Sequence, residues 1–403
     1  MNPFGNELKK EPKHITIFVN YKAYGGALKR QFDEYFMPYI NLAGFNVQFV
    51  YTDHDAEVKD YIKNLKPSET DALLFVGDDN VLQQGVTSVL RNWSNSSEMP
   101  IGIFPLGVWN TFSKLSFACK NDLVTRAFTF VNPVLFNHTE QSNVLSISKL
   151  NPDGKPAQSP PVYSLCGLEW NLFRDLEYRN RSLVPVAASY QSERLRPASS
   201  SPFQFFKWIT NSISYSWSWR KVQSAPPSSV NSSFHFDQDP INETSKGNFF
   251  YKKAIIRYTL PCPGCDLCLK STSPIHKCGE IKEVSVEDAS CISVVLLGDK
   301  IRICIQPAKK LYSSFMSDAF SFLRSQAYLE QLMPINHNQS DEAETNINTN
   351  LTCVDCTSAT LYPLIQENEY FWIDNDYFEA SPVEINILKN ALKLYKPDEF
   401  MLY

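Results

Sequence analysis

The sequence predicts a parallel α/β domain over residues 13–132 followed by an antiparallel β-sandwich over residues 133–387. Three observations carry this expectation. Up to about residue 130, β-rich apolar runs alternate with stretches of helical spacing; most of those runs end in a polar, glycine- or acid-bearing turn; beyond that point short β-rich runs are separated by long polar inserts. At 403 residues and 43% hydrophobic content the chain exceeds what one core usually holds, about 250–300 residues, so two domains are expected.

The elements follow in order. Residues 15–19 form a strand, residues 20–26 a polar turn holding Gly25 and Gly26, and residues 28–40 a helix. A second unit has its strand at 45–51 and its helix at 56–65. The third runs from a strand at 72–76 through the turn 77–80 to a helix at 82–91. The fourth strand, 101–104, leads into Pro-Leu-Gly-Val-Trp-Asn at 105–110. Such alternation predicts right-handed crossovers and a ligand site at the carboxyl ends of the strands, where these turns lie. The second domain is expected to use strands near 143–148, 162–166, 254–258, 292–297 and 301–305. Residues 191–247 and 334–350 read as mobile polar inserts, residues 1–12 as a tail, and residues 388–403 as a segment that packs back on the first domain.

A formal net charge of −5 argues against a nucleic-acid binder, which would carry a basic face. No apolar run reaches eighteen residues, and residues 1–14 hold neither a signal-peptide core nor an Arg-rich presequence, so membrane contact is expected to be peripheral. Of the ten cysteines, Cys119, Cys166, Cys291 and Cys304 sit in apolar contexts and read as buried thiols, which with the lack of a signal peptide suggests a reducing compartment.

Several groupings carry chemistry. The turn at 20–26 lies where a strand meets a helix, so its glycines let backbone amides approach a phosphate; an ordinary αβ turn is the alternative. The turn at 77–81 holds Asp78 and Asp79, with a simple helix cap by Asp79 or Asn80 as the alternative. Cys262, Cys265, Cys268 and Cys278 have the close spacing of a structural zinc site, with Cys353 and Cys356 as competing ligands and His276 as an additional one; disulfides or free thiols are the alternatives. Residues 203–208 and 215–220 combine aromatics with Lys207 and Arg220, as at a membrane interface or under a sandwich edge.

In their order these turns resemble the diacylglycerol kinase, sphingosine kinase and acylglycerol kinase superfamily, the acylglycerol kinases most of all. The family's Asn-Pro-x-(Ser/Ala)-Gly-Gly is matched by Asn20, Ala23, Gly25 and Gly26, with Tyr21 in place of proline. Its threonine after the second strand is matched by Thr52. Its Gly-Gly-Asp-Gly-Thr falls on residues 77–81, and its Pro-Leu-Gly-Thr-x-Asn on Pro105, Leu106, Gly107 and Asn110, with Val108 for the threonine. Gly-Leu-Glu-Trp at 167–170 resembles the segment that begins the family's second domain, and Asp-Asn-Asp at 374–376 its Asp-Gly-Glu.

The resemblance implies a Rossmann-like ATP domain, a lipid-binding sandwich, and transfer of the ATP γ-phosphate to mono- or diacylglycerol, giving lysophosphatidic or phosphatidic acid. It places ATP against Asn20, Gly25, Gly26, Thr52, Gly77, Asp78, Asp79, Asn80, Gly107 and Asn110. It gives Asp79 the ordering of magnesium, puts Asp318 near a second metal-associated segment, and makes Asp376 the base that accepts the lipid hydroxyl proton. Against it, Asp78 and Asn80 replace glycines, and Val81 loses a hydroxyl; Asn80 is the mildest change, because Asn tolerates the left-handed conformation. A membrane surface and the intermembrane-space side of the mitochondrial inner membrane are the implied setting. The implied alternative is a catalytically weakened scaffold subunit of the inner-membrane carrier translocase.

Overall fold

The computed structural model describes residues 14–54, 56–107, 110–117, 122–151, 153–172, 174, 251–262, 279–308, 352–364 and 369–397. The expected inserts, the tail 1–12, the aromatic segments at 203–220, Asp318, Cys119, Cys265, Cys268, His276 and Cys278 lie outside these residues.

Four parallel strands make the first part of the sheet, in the order β2 (Asn46–Thr52), β1 (His14–Asn20), β3 (Ala72–Gly77), β4 (Pro100–Pro105). All six residues of β3 are buried, as expected of a central parallel strand covered on both faces. The helix expected at 28–40 is a continuous helical run: α1 (Ala27–Gln31), a π-turn at Phe32–Phe36, and α2 (Met37–Ala43). Phe32 and Phe36 pack on Phe104 of β4, with ring centroids 6.0 and 5.0 Å away. In α3 (Glu57–Asn64), Val58 and Ile62 are buried one turn apart, the spacing that points both to one face. The next helix, α4 (Asp79–Asn92), starts three residues before the expected 82, which draws Asp79 and Asn80 into its first turn. Gly85 lets α4 settle on β3, because a Cβ there would sit 2.2 Å from the Phe75 ring. Two further helices follow, α5 (Thr111–Phe117) and α6 (Leu123–Leu135); Asp122 caps α6 by accepting the Thr125 N–H at 2.7 Å.

The remaining strands are β5 (Thr139–Lys149), β6 (Val162–Ser164), β7 (Gly167–Asn171), β8 (Lys252–Thr259), β9 (Ile281–Leu297), β10 (Lys300–Pro307), β11 (Thr352–Cys356), β12 (Ser358–Pro363), β13 (Tyr370–Ile373), β14 (Asp376–Glu379) and β15 (Val383–Tyr395). They pair antiparallel, and among the described residues all fifteen strands belong to one mixed sheet. The fusing strand is β15. It runs antiparallel to β5 and β12, then turns parallel to β4 through Lys393↔Pro100 and Leu394↔Ile101. Inside the antiparallel part, Trp170 meets Phe371 edge-on at 5.7 Å. The Lys252 ammonium lies 3.6 Å from Glu369 and 5.1 Å from the Trp170 ring centre, a buried charge held by an opposite charge and an aromatic face.

The cysteines are arranged differently from the expectation. Register sets Cys304 of β10 directly opposite Cys353 of β11 with Cα atoms 4.2 Å apart, and the two form a disulfide. Cys304 is therefore no free thiol, Cys353 no competing zinc ligand, and the ground for a reducing compartment falls away. Cys166, Cys291 and Cys356 are buried thiols, and burial pushes Cys356 up to about 12. Because the bond joins residues 49 apart, Cys353→Ser is expected to lower unfolding stability by about 2–4 kcal/mol, measured by urea denaturation under non-reducing conditions. Equal stability of parent and variant without reductant would show that the bond does not form.

Candidate active site

The strand order reverses between β1 and β3, so their connections leave in opposite directions and open a crevice at the carboxyl ends. Asn20 closes β1 there: its side-chain oxygen accepts the N–H groups of Lys22 (3.1 Å) and Ala23 (3.0 Å), which fixes the following turn. Gly25 and Gly26 then take φ of 65° and 81°, left-handed values that favour glycine. At the exposed rim Lys22 pairs with Asp53, which Tyr21 also approaches, and this hydrogen-bonded pairing raises the Lys22 pKa and lowers that of Asp53. Thr52, at the end of β2, is 2% exposed, and its hydroxyl finds no partner among the described residues. Asn110 donates to the Gly107 carbonyl at 3.0 Å while its own oxygen, also buried, finds no partner among the described residues. Buried polar atoms without partners at a strand-end crevice suit a polar ligand.

The turn after β3 departs from the expectation in detail. Gly77 has φ 156°, and a Cβ there would meet Val81 Cγ1 at 2.7 Å. Asp78 is extended (φ −104°, ψ −173°), a conformation that needs no glycine. Asn80 is helical rather than left-handed, and accepts the Gln84 side-chain N–H at 2.8 Å, so its tolerance of positive φ plays no part. Asp79 caps neither its own helix nor a solvent-facing turn. Only 1% exposed, it reaches across to the start of α5, accepting the Thr111 N–H at 2.6 Å and the Phe112 N–H at 3.2 and 3.3 Å, and it takes the Asn375 side-chain N–H at 3.2 Å. Burial first, then the charges of Asp374 and Asp78, push its pKa well up, while the two backbone N–H groups oppose this.

That environment does not fit a magnesium ligand. The positive ends of three N–H dipoles converge on a carboxylate shut off from water, the reverse of the bare oxygen cage a hard cation needs. Among the described residues no group of three or more His, Cys, Asp or Glu is placed to hold a metal; Cys262 is half-buried, while the other three expected zinc ligands lie outside those residues.

Asn375 comes from the β13–β14 hairpin. Ile373 pairs with Asp376, and the two residues between them, Asp374 and Asn375, have φ of 44° and 67°, as in a type I′ turn. Asp374 fixes this turn. Its carboxylate, 4% exposed, accepts from the Ser164 hydroxyl (2.7 Å) and the N–H groups of Leu165 (2.7 Å), Cys166 (3.0 Å) and Gly167 (3.1 Å). Gly167 is needed here for a different contact, with β9, since a Cβ would lie 2.1 Å from the Val294 carbonyl oxygen. Burial raises the Asp374 pKa and these donors hold it down. Asp376 follows as the first residue of β14, half-exposed, its carboxylate accepting the Tyr377 N–H at 3.0 Å. Lys59 of α3 is within electrostatic reach: burial lowers its pKa, and the Asp376 charge pulls it back up. The fold thus brings Asn375, the residue before Asp376, against Asp79 through the turn between β13 and β14. Reading the sequence by motif assigned no role to Asp374, Asn375, Lys59 or the 164–167 turn, although the two-residue Asp-Asn gap between alternating runs is a hairpin signal.

Residues 14–131 match the family described as the diacylglycerol kinase catalytic domain. Acylglycerol kinase, mitochondrial, of Homo sapiens is 24% identical over 97% of this chain and 85% of its own length. The chain is thus similar along nearly its whole length to an acylglycerol kinase, and its first third matches the diacylglycerol kinase catalytic domain. Sphingosine kinase 2 of Arabidopsis thaliana is 25% identical over 41% of this chain and 33% of that protein. The shared fold extends to a Bacillus anthracis protein assigned to the diacylglycerol kinases, with a TM-score of 0.51 and 13% identity, covering 97% of this chain and 99% of that one. Among the described residues no helix is long and apolar enough to cross a membrane.

Proposed function

We propose that the chain transfers the ATP γ-phosphate to the hydroxyl of a mono- or diacylglycerol, with Asp376 as the base. The observation that supports this most directly is the Asn375 to Asp79 contact, which sets Asp376 of the antiparallel part beside the turn after β3. ATP supplies the phosphoryl group; Asn20, Gly25, Gly26, Thr52, Gly107 and Asn110 would hold it in a Rossmann-like cradle, the unpaired atoms of Thr52 and Asn110 being suited to a polar ligand. Asp376 would accept the hydroxyl proton at a half-exposed position open to a lipid headgroup, while the antiparallel strands, as a sandwich, would carry the acyl chain. The mitochondrial relatives and the Cys304–Cys353 disulfide support a place on the intermembrane-space side of the inner membrane, with peripheral contact to the lipid surface.

The occupied Asp79 favours a second reading, a non-catalytic scaffold subunit of the inner-membrane carrier translocase. The two separate in one assay. Purified protein with labelled ATP, magnesium and monoacylglycerol in mixed micelles is expected to yield labelled lysophosphatidic acid, and magnesium-ATP is expected to raise the Tm at millimolar concentration. Absence of both product and thermal shift would favour the scaffold.

A further inference from the structure

The Asp-Gly-Glu motif that residues 374–376 resemble has glycine where this chain has Asn375, and the side chain so gained is not idle. It donates to Asp79 Oδ2 at 3.2 Å, on the same oxygen that takes the Thr111 N–H, while the turn that presents it is tied down by the four donors to Asp374. A neutral amide on a fixed turn therefore stands against a buried carboxylate. We propose that Asn375 takes the place of a cation at Asp79, holding that carboxylate in a protein-only clamp between the β13–β14 turn and the start of α5. Any divalent ion that accompanies nucleotide on this chain then binds without Asp79. The inference deepens the kinase reading, from which it takes only the expectation that a nucleotide-borne ion is near.

Two consequences are distinctive. The first concerns the turn. Both of its residues have positive φ, where glycine is as comfortable as Asn or more so, and turn chemistry alone predicts that Asn375→Gly is neutral or stabilising. The clamp predicts the opposite, because the variant removes a hydrogen bond to a buried carboxylate. The second concerns the metal. If Asp79 is committed to N–H donors, converting it to an amide leaves metal affinity where it was.

The experiment is a double-mutant cycle of Asp79→Ala and Asn375→Gly by urea denaturation, joined to Mn2+ titrations of the parent and Asp79→Asn followed by the electron paramagnetic resonance of the free ion, with ATP present. Asn375→Gly is expected to reduce the folded-to-unfolded ratio about tenfold in the parent and to have little effect once Asp79 is Ala, which leaves no acceptor. Mn2+ affinity is expected to be the same in the parent and in Asp79→Asn. Additive effects, or Mn2+ binding that weakens on Asp79→Asn, would overturn the clamp. Should Asp79→Ala not fold, the sign of the Asn375→Gly change alone decides, since a neutral or stabilising result contradicts the proposal. Lipid phosphorylation is scored separately: its absence from the parent would sink the kinase reading and leave these outcomes as they stand.

Discussion

Asp376→Asn is expected to lower lipid phosphorylation by about 10²–10⁴-fold while ATP affinity stays nearly unchanged. The side chain sits at the start of β14, half-exposed, one residue beyond the turn that touches Asp79, so its carboxylate can face a hydroxyl brought in from the lipid side. An amide of the same shape keeps the Tyr377 N–H contact through its oxygen but accepts no proton. A base acts only as the hydroxyl is deprotonated, which is why the loss should fall on kcat and spare the nucleotide KM. The nearby Lys59 sharpens the test, because Asp376→Asn also removes the anion that holds its pKa up and should make the Lys59 amine titrate lower. Single-turnover rates and ATP titrations on the same preparations measure this. Turnover within about threefold of the parent would take Asp376 out of the mechanism.

The largest effect on stability is expected from Asp374→Ala, about 3–5 kcal/mol in urea denaturation. The substitution strands one hydroxyl and three backbone N–H groups, all buried, in the 164–167 turn. Each such donor left without an acceptor costs about 1–3 kcal/mol, and the sum is reduced because water can enter the space the carboxylate leaves. Asp374→Asn should fall between, since the amide keeps one acceptor oxygen and turns the other position into a donor facing donors. A loss below about 1 kcal/mol for the alanine variant would mean that the turn is held by its backbone pairing alone.

Much of the parallel half was legible because its signals are local. Ile15 to Val19 and Ala72 to Val76 are apolar runs of strand length bounded by turn residues, and each strand lies where the pattern put it. The start of α4 was not, and neither was the partner of Asp79, whose carboxylate accepts from residues 32 and 33 positions further on, which no local pattern encodes. The same holds for Cys304 and Cys353. Apolar flanks made one look like an inert thiol and a short Cys-x-x-Cys spacing made the other look like a metal ligand, but strand register decides their pairing. Asn20 and Thr52, which the resemblance set against ATP, both lie at the carboxyl ends of parallel strands; their division of labour, one shaping the turn and the other leaving a bare hydroxyl, depends on distances that spacing does not contain.

Strand β15 bears on how the chain is made. Its last residues fill the side of β4 opposite β3, yet they are synthesised nearly three hundred residues after β4 itself. Until then that side of β4 has no strand beside it, and an unpaired edge of a parallel sheet is a template for wrong partners during folding.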